Sequence, residues 1–431
     1  MASQISETST TVPDEISAAI VLPENYAHEM EVTYPAFDWL RENEPLGRGQ
    51  VEGYDPMWFV TKNADILDIE RNPEIFTNGI GEPRIQDKAS LAFIQHVTGG
   101  QRAMDILSYM DAPEHTKIKT VTSKWFLPVN VRSREESVRA LAGEAVEKFL
   151  SLDGECDFVQ DFALYYPLRV VMSLFGVPPE DEPIMYKLTQ DLLGNSEQAQ
   201  PEDVPVDADA AGRRYTESIA EFSAYFSRLC ASRRAHPTDD LASVIANATV
   251  DGELLADSFV NGYYIAIAGA GHDTTTSTIA GAMRVFAERP DQLQLVRNDL
   301  SLVPSMIEEA IRWVSPVKHF QRVVSRDHEF RGRQFREGDF VELFYPSGNR
   351  DEDVFEDPDV FDATRKPNKH VGFGFGPHLC LGQHVAKFEM RLLFEELLPR
   401  LASVELAGEP RTAPGNFITG LKNLPISFKK A

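Results

Sequence analysis

Apolar positions divide the chain into stretches of different texture. From Arg132 to about Arg289 they recur mostly at helical spacing, as in Val138, Leu141, Ala145, Val146 and Phe149, and Pro290 closes the run. Leu381 to Leu398 shows the same period, with Leu381, Val385, Phe388, Leu392 and Leu398 near one face and Pro399 ending the helix. Met57 to Val60 and Phe340 to Phe344 are short apolar runs bounded by turn residues, and read as strands. The stretch from Asn78 to Pro113 holds four glycines without a clean period, which predicts a long, partly irregular loop. Residues 1–20 are polar and predict a flexible N-terminus. The acidic segment Gly194 to Gly212 predicts a solvated surface loop. The pattern as a whole predicts a mainly α chain with a smaller β part, folded as one domain over residues 21–431.

Composition narrows the function. Asp and Glu number 67 against 42 Lys and Arg, a formal net charge of −25 over 431 residues. That balance argues against nucleic acid and anionic lipid as partners. The most apolar stretch, Phe259 to Gly271, stops at His272-Asp273, short of the ~18 apolar residues a membrane span needs. The N-terminus lacks the basic and apolar regions of a signal peptide. Cys156, Cys230 and Cys380 are widely spaced, with no CxxC pair, which fits a reducing, cytoplasmic setting.

The chemistry concentrates in the second half. In Phe373-Gly-Phe-Gly-Pro-His-Leu-Cys380-Leu-Gly382 the glycines let backbone lie close to a flat object, and Cys380 stands where a helix begins. Aligned N–H groups at a helix N-terminus favour thiolate, the form a Cys-ligated haem iron requires. Upstream, Ala268-Gly-Ala-Gly-His-Asp-Thr-Thr-Thr276 interrupts a long helical pattern with poor helix formers. Gly271, and a Thr274 hydroxyl bonding back one turn, would open a groove there. Asp273 and Thr274 would offer an acid and an alcohol beside it, suited to relaying protons. Close packing of helices through small residues is the competing reading. Glu309 and Arg312, at i and i+3, share a helix face and can pair. No histidine lies in an HxH or HExxH arrangement, which argues against zinc.

Taken in order, these segments resemble the cytochrome P-450 superfamily of haem-thiolate monooxygenases, over nearly the whole chain. The similarity is strongest to its soluble bacterial class and, within that, to a terpene-oxidising member. The shared segments include Tyr34-Pro-Ala-Phe37, Glu52-Gly-Tyr-Asp-Pro-Met-Trp58, Leu164-Tyr-Tyr-Pro-Leu168 and Lys187-Leu-Thr-Gln-Asp191.

The resemblance implies a triangular prism with haem b held between two helices and Cys380 as the iron ligand. It implies Asp273 and Thr274 as the catalytic acid and alcohol, and Glu309, Arg312 and Arg365 as a structural triad behind the cysteine loop. His115, Lys119, Arg322 and His378 match positions that hold the haem propionates, and Phe373 and Gly382 would also touch the cofactor. Lys119 stands where the family usually has Arg, keeping the charge and losing the bidentate fork. Ala266, Gly269, Ala270, Thr274, Phe320 and Phe417 would face the substrate, and their character suits a small apolar compound.

The expected reaction inserts one oxygen atom from O2 into a C–H bond. No flavin domain, [2Fe–2S] loop or dinucleotide fingerprint is present, so electrons are expected from a [2Fe–2S] ferredoxin and its NAD(P)H-dependent reductase. Lys366, Lys369 and Lys387 are the candidates to meet that partner, and a monomer is expected. A peroxide-using enzyme and a non-catalytic haem sensor are the alternatives, and the intact Asp273-Thr274 pair disfavours both.

Overall fold

The structure, a computed structural model, describes residues 10–100, 102, 104–192 and 208–431. Helices dominate. Ala208–Ala235 is the longest among the described residues, and Glu135–Leu150, Asp257–Ala270, Asp273–Glu288, Val303–Val314 and Gln383–Leu397 are among the other long ones. Gln383–Leu397 packs on Glu135–Leu150 and Val303–Val314, which in turn packs on Asp273–Glu288. Val385, Phe388, Leu392, Leu393, Phe394 and Leu397 face this contact and are buried in the largest core cluster.

The β part is set to one side. Its main sheet runs in the order Leu46–Gly49, Met57–Val60, Phe340–Phe344, His319–Val324, Phe76–Thr77. Met57–Val60 and Phe340–Phe344 pair in parallel, and the other neighbours are antiparallel. Arg322 pairs across with Val341 and Phe320 with Leu343. Side chains two apart on a strand share a face, so Phe320 and Arg322 point the same way.

Three expectations need correction. Asp14–Val21 is a helix with Ile20 and Val21 fully buried, so the chain is ordered well before residue 21. Residues 1–9 lie outside the described residues. The stretch Asn78 to Pro113 contains a helix, Lys88–Thr98. Asp87 caps it by accepting from the Ala89 and Ser90 N–H groups (both 2.9 Å), and Gly99 closes it at φ 64°. None of its residues is buried, and Phe93 and Val97, one turn apart, are exposed. Of the acidic segment, Ala208 to Gly212 belongs to the helix Ala208–Ala235, and 194–207 lie outside the described residues. Among the described residues no helix is long and apolar enough to cross a membrane.

Candidate active site

The long helical pattern is broken where its poor helix formers fall. Asp257–Ala270 ends, Gly271 and His272 intervene, and Asp273–Glu288 begins. The Ala270 carbonyl accepts from the Thr274 hydroxyl at 2.9 Å, and the His272 N–H turns back to Gly269 (3.3 Å). A Cβ at Gly271 would lie 2.7 Å from Val171 Cγ2, so only glycine lets the helix pass this close. Thr274 lines a cavity of about 410 Å³ together with Ala266, Ala270, Phe320 and Phe417. Gly269 does not line it. Ala266 and Ala270 share a face one turn apart, whereas Gly269 is rotated ~100° from Ala270 and is buried. The same rotation takes the Asp273 side chain off the cavity wall. It sits beside the buried His272, with Oδ1 3.4 Å from Nδ1. His272 Nε2 is 2.7 Å from the Leu164 carbonyl.

Cys380 lines the same cavity from the opposite part of the chain. Its exposure is to that cavity, and its N–H donates to the Phe373 carbonyl (2.9 Å). Gly374 and Gly376 both have φ near 65°, and a Cβ on Gly376 would collide with the Glu70 carbonyl. The helix starts at Gln383, three residues later than Cys380. Burial pushes the Cys380 thiol up. The Gly382 and Gln383 N–H groups and Lys119 pull the other way without overcoming it. The helix-terminus effect expected from the sequence is therefore present and outweighed.

Behind the loop lies a buried ionic network. Glu309 and Arg312 are both fully buried and joined by two bonds of 2.8 Å. Arg365 Nε reaches Glu309 at 3.1 Å, and Asn368 and the Asp362 N–H each donate to it at 3.0 Å. Arg312 also donates to the carbonyls of Asn349 (2.9 Å), Pro358 and Val360. Asn349 Oδ1 in turn accepts from the Val371 N–H (2.7 Å), carrying the network into the segment that leads to Cys380.

Basic side chains gather at one rim of the cavity. His115 packs against His378 with ring centroids 4.1 Å apart and planes tilted by 37°, and both line the cavity with Lys119 and Arg322. Burial lowers His115 to about 4, and His378 falls further for the same reason, so both rings are neutral near pH 7. Lys119, also lowered by burial, donates to the carbonyls of Pro377 and Leu379 (3.1 Å), gripping the cysteine loop itself. Arg322 meets a residue that no motif pointed to, Glu70. Glu70 Oε1 accepts from Arg322 (3.2 Å) and from the Tyr345 hydroxyl (2.8 Å), while Oε2 is buried with no hydrogen-bond partner. Burial raises Glu70 to about 7 against the pull of Arg322 and Tyr345. Phe373 and Gly382 line the cavity as well.

A thiol on one wall, small residues opposite and a cationic rim make a chamber suited to a flat, metal-bearing dianion. That donor set fits a haem with its two propionates. The comparisons agree. The cytochrome P450 family model matches residues 106–428, and the chain belongs to that family. It is 48% identical over 427 residues to cytochrome P450-terp of a Pseudomonas species, covering 98% of this chain and 99% of that one. It is 33% identical to a steroid C26-monooxygenase of Mycobacterium tuberculosis, covering 91% and 93%. Among solved structures, CYP108D1 from Novosphingobium aromaticivorans superposes with a TM-score of 0.91 at 38% identity, covering 98% of this chain and all of that one. The fold is thus the cytochrome P450 fold, the chain is a haem-thiolate monooxygenase by family, and the family's cofactor is haem with cysteine-thiolate ligation.

Proposed function

We propose that the chain hydroxylates a small, mainly apolar compound, using O2 and electrons from a [2Fe–2S] ferredoxin served by an NAD(P)H-dependent reductase. The observation that carries this reading is that Cys380 and Thr274, 106 positions apart in the chain, line one cavity whose remaining wall is largely apolar. Haem b, when bound, supplies the iron at which O2 is activated, with the thiolate donating electron density. In this reading Cys380 Sγ is the iron ligand, and the Gly382 and Gln383 N–H groups temper its charge. Lys119, Arg322, His115 and His378 hold the propionate edge, and the Glu309–Arg312–Arg365 network keeps the cysteine loop in place. Thr274 Oγ1, positioned by the Ala270 carbonyl, holds a proton at the cavity wall. Asp273, on the flank of the same helix beside His272, replenishes it from outside the cavity.

Ala266, Ala270, Phe320 and Phe417 exclude water and accept an apolar body. The segments shared with the bacterial terpineol monooxygenase, and the 48% identity to cytochrome P450-terp, favour a terpenoid-sized substrate. Lys366 and Lys369 are exposed and, among the described residues, have no ion-pair partner, which suits them to a protein partner. Lys387 is held by Glu308 at 2.8 Å and suits that role less. A cytoplasmic location fits three free cysteines.

Replacing Cys380 by Ala tests the assignment. The red-shifted ferrous–CO band typical of thiolate haem should vanish, while Cys156→Ala and Cys230→Ala keep it. A Cys380→Ala protein that retained the band would overturn the reading.

A further inference from the structure

One cation on the cavity wall is left over once the propionate edge is assigned. Arg84 lines the main cavity and also a smaller adjoining pocket of about 250 Å³, so it stands at the partition between them. Its backbone is pinned on both sides. The Pro83 carbonyl accepts from the Gln321 N–H (2.8 Å), and the Ile85 N–H donates to His319 Nε2 (2.9 Å). Pro83 and Ile85 are buried and Arg84 between them is only partly so. Its guanidinium lies over the Phe417 ring, 5.7 Å from the centroid, and Phe417 packs edge-on against Phe320 at 5.3 Å. Beyond that ring, Arg84 has no hydrogen bond or ion pair among the described residues.

The acids nearby are committed elsewhere. Asp87 caps a helix through Ala89 and Ser90, and Glu82 accepts from the Tyr109 hydroxyl. Arg84 is also separated from the propionate edge. Arg84 contacts Phe417, Phe417 packs on Phe320, and Phe320 stands two residues, ~7 Å along the strand, from Arg322. A guanidinium that is partly desolvated, permanently charged, backed by an aromatic face and without an anion is a ready receptor for a carboxylate.

We infer that Arg84 anchors a carboxylate on an otherwise apolar substrate, so that the compound hydroxylated is an amphiphilic acid. The apolar body lies toward Ala266, Ala270 and Thr274, and the acid group stays at the partition. This rests on the monooxygenase reading and adds the substrate's chemical class to it. Neither Phe417 nor Phe320 offers a group that would hold an acid, so at this partition the acid is held by Arg84.

The experiment uses ferric holoprotein at pH 8 and follows the Soret shift with two matched pairs: perillic acid against perillyl alcohol, and dodecanoic acid against dodecan-1-ol. Wild type should bind at least one acid about tenfold more tightly than its alcohol. In Arg84→Leu that preference should fall to about one, with alcohol binding retained, and Arg84→Lys should keep part of it. A wild type that binds neither acid better than its alcohol overturns the inference, as does an acid preference that survives in Arg84→Leu. Equal weakening of acid and alcohol in Arg84→Leu, with a shifted haem potential, would assign Arg84 to a propionate and also overturn it. Loss of the thiolate CO band in wild type would instead defeat the underlying monooxygenase reading, so the two failures are distinguishable.

Discussion

Replacing Glu309 by Gln should cost more than its single lost charge implies. Five donors converge on the two Glu309 oxygens: Arg312 Nε and Nη2, Arg365 Nε, Asn368 Nδ2 and the Asp362 N–H. Gln supplies one oxygen in place of two and turns an NH2 group toward donors. It also leaves Arg312, fully buried, without a counter-charge. Breaking a buried pair in this way costs about 3–5 kcal/mol. An unfolding entropy of about 2.1 cal/mol/K per residue over 431 residues gives ~0.9 kcal/mol/K, so the melting temperature should fall by about 3–6 °C.

The adjacent Glu308 is the internal control. It pairs with His370 (2.9 Å) and Lys387 (2.8 Å), but its side chain is one-third exposed, so Glu308→Gln should cost under about 1 kcal/mol, near 1 °C. Melting curves of the two variants, with haem content per chain from the reduced CO spectrum, make the comparison. Glu309→Gln should also lose haem, because its network reaches Val371 through Asn349. A Glu309→Gln protein that melts within 1 °C of wild type with a full haem complement would refute the argument.

Thr274→Ala should still consume NADH yet release more peroxide per product, measured by peroxide assay alongside product yield; unchanged coupling would return this helix to a packing role. Glu70 carries a raised folded-state pKa of about 7 against an ordinary 4.5, so its protonated form favours folding below about 4.5 and that advantage drains away as pH rises to 7. The loss is about 3 kcal/mol by linkage, and Glu70→Gln should flatten the melting-temperature fall between pH 5 and 8; an identical slope in both proteins would remove Glu70 as its source. Lys366→Glu combined with Lys369→Glu should raise the apparent KM for ferredoxin without changing substrate binding, and an unaltered ferredoxin dependence would move the docking face elsewhere.

The long helices and the cysteine loop were legible because each combines a strong period or a run of glycines with an unusual residue, Cys380. Lys88–Thr98 was not, because its short run of Leu91, Phe93, Ile94 and Val97 sits among the glycines at 79, 81, 99 and 100; Asp87 before it and Gly99 after it mark its ends. Gly269 was placed correctly along the chain but on the wrong face, since a helix turns ~100° per residue and adjacency does not mean shared orientation. Glu70 and Arg84 belong to no motif at all. They lie more than 230 positions before Arg322 and Phe417, and reach the cavity only because the sheet and the segment beside it fold back on them.

The parallel pairing of Met57–Val60 with Phe340–Phe344 has a bearing on how the chain is made. The hairpin formed by Leu46–Gly49 and Met57–Val60 emerges early in synthesis, but its inner edge stays open until most of the chain has left the ribosome. The strand at that edge, Met57–Val60, is apolar throughout, Trp58 and Phe59 among its residues, and an open apolar edge invites pairing with other nascent chains. Protein produced faster than its C-terminal third can be delivered will accumulate as aggregate even with haem abundant, and slower translation or a holdase chaperone will recover it where added haem precursor does not.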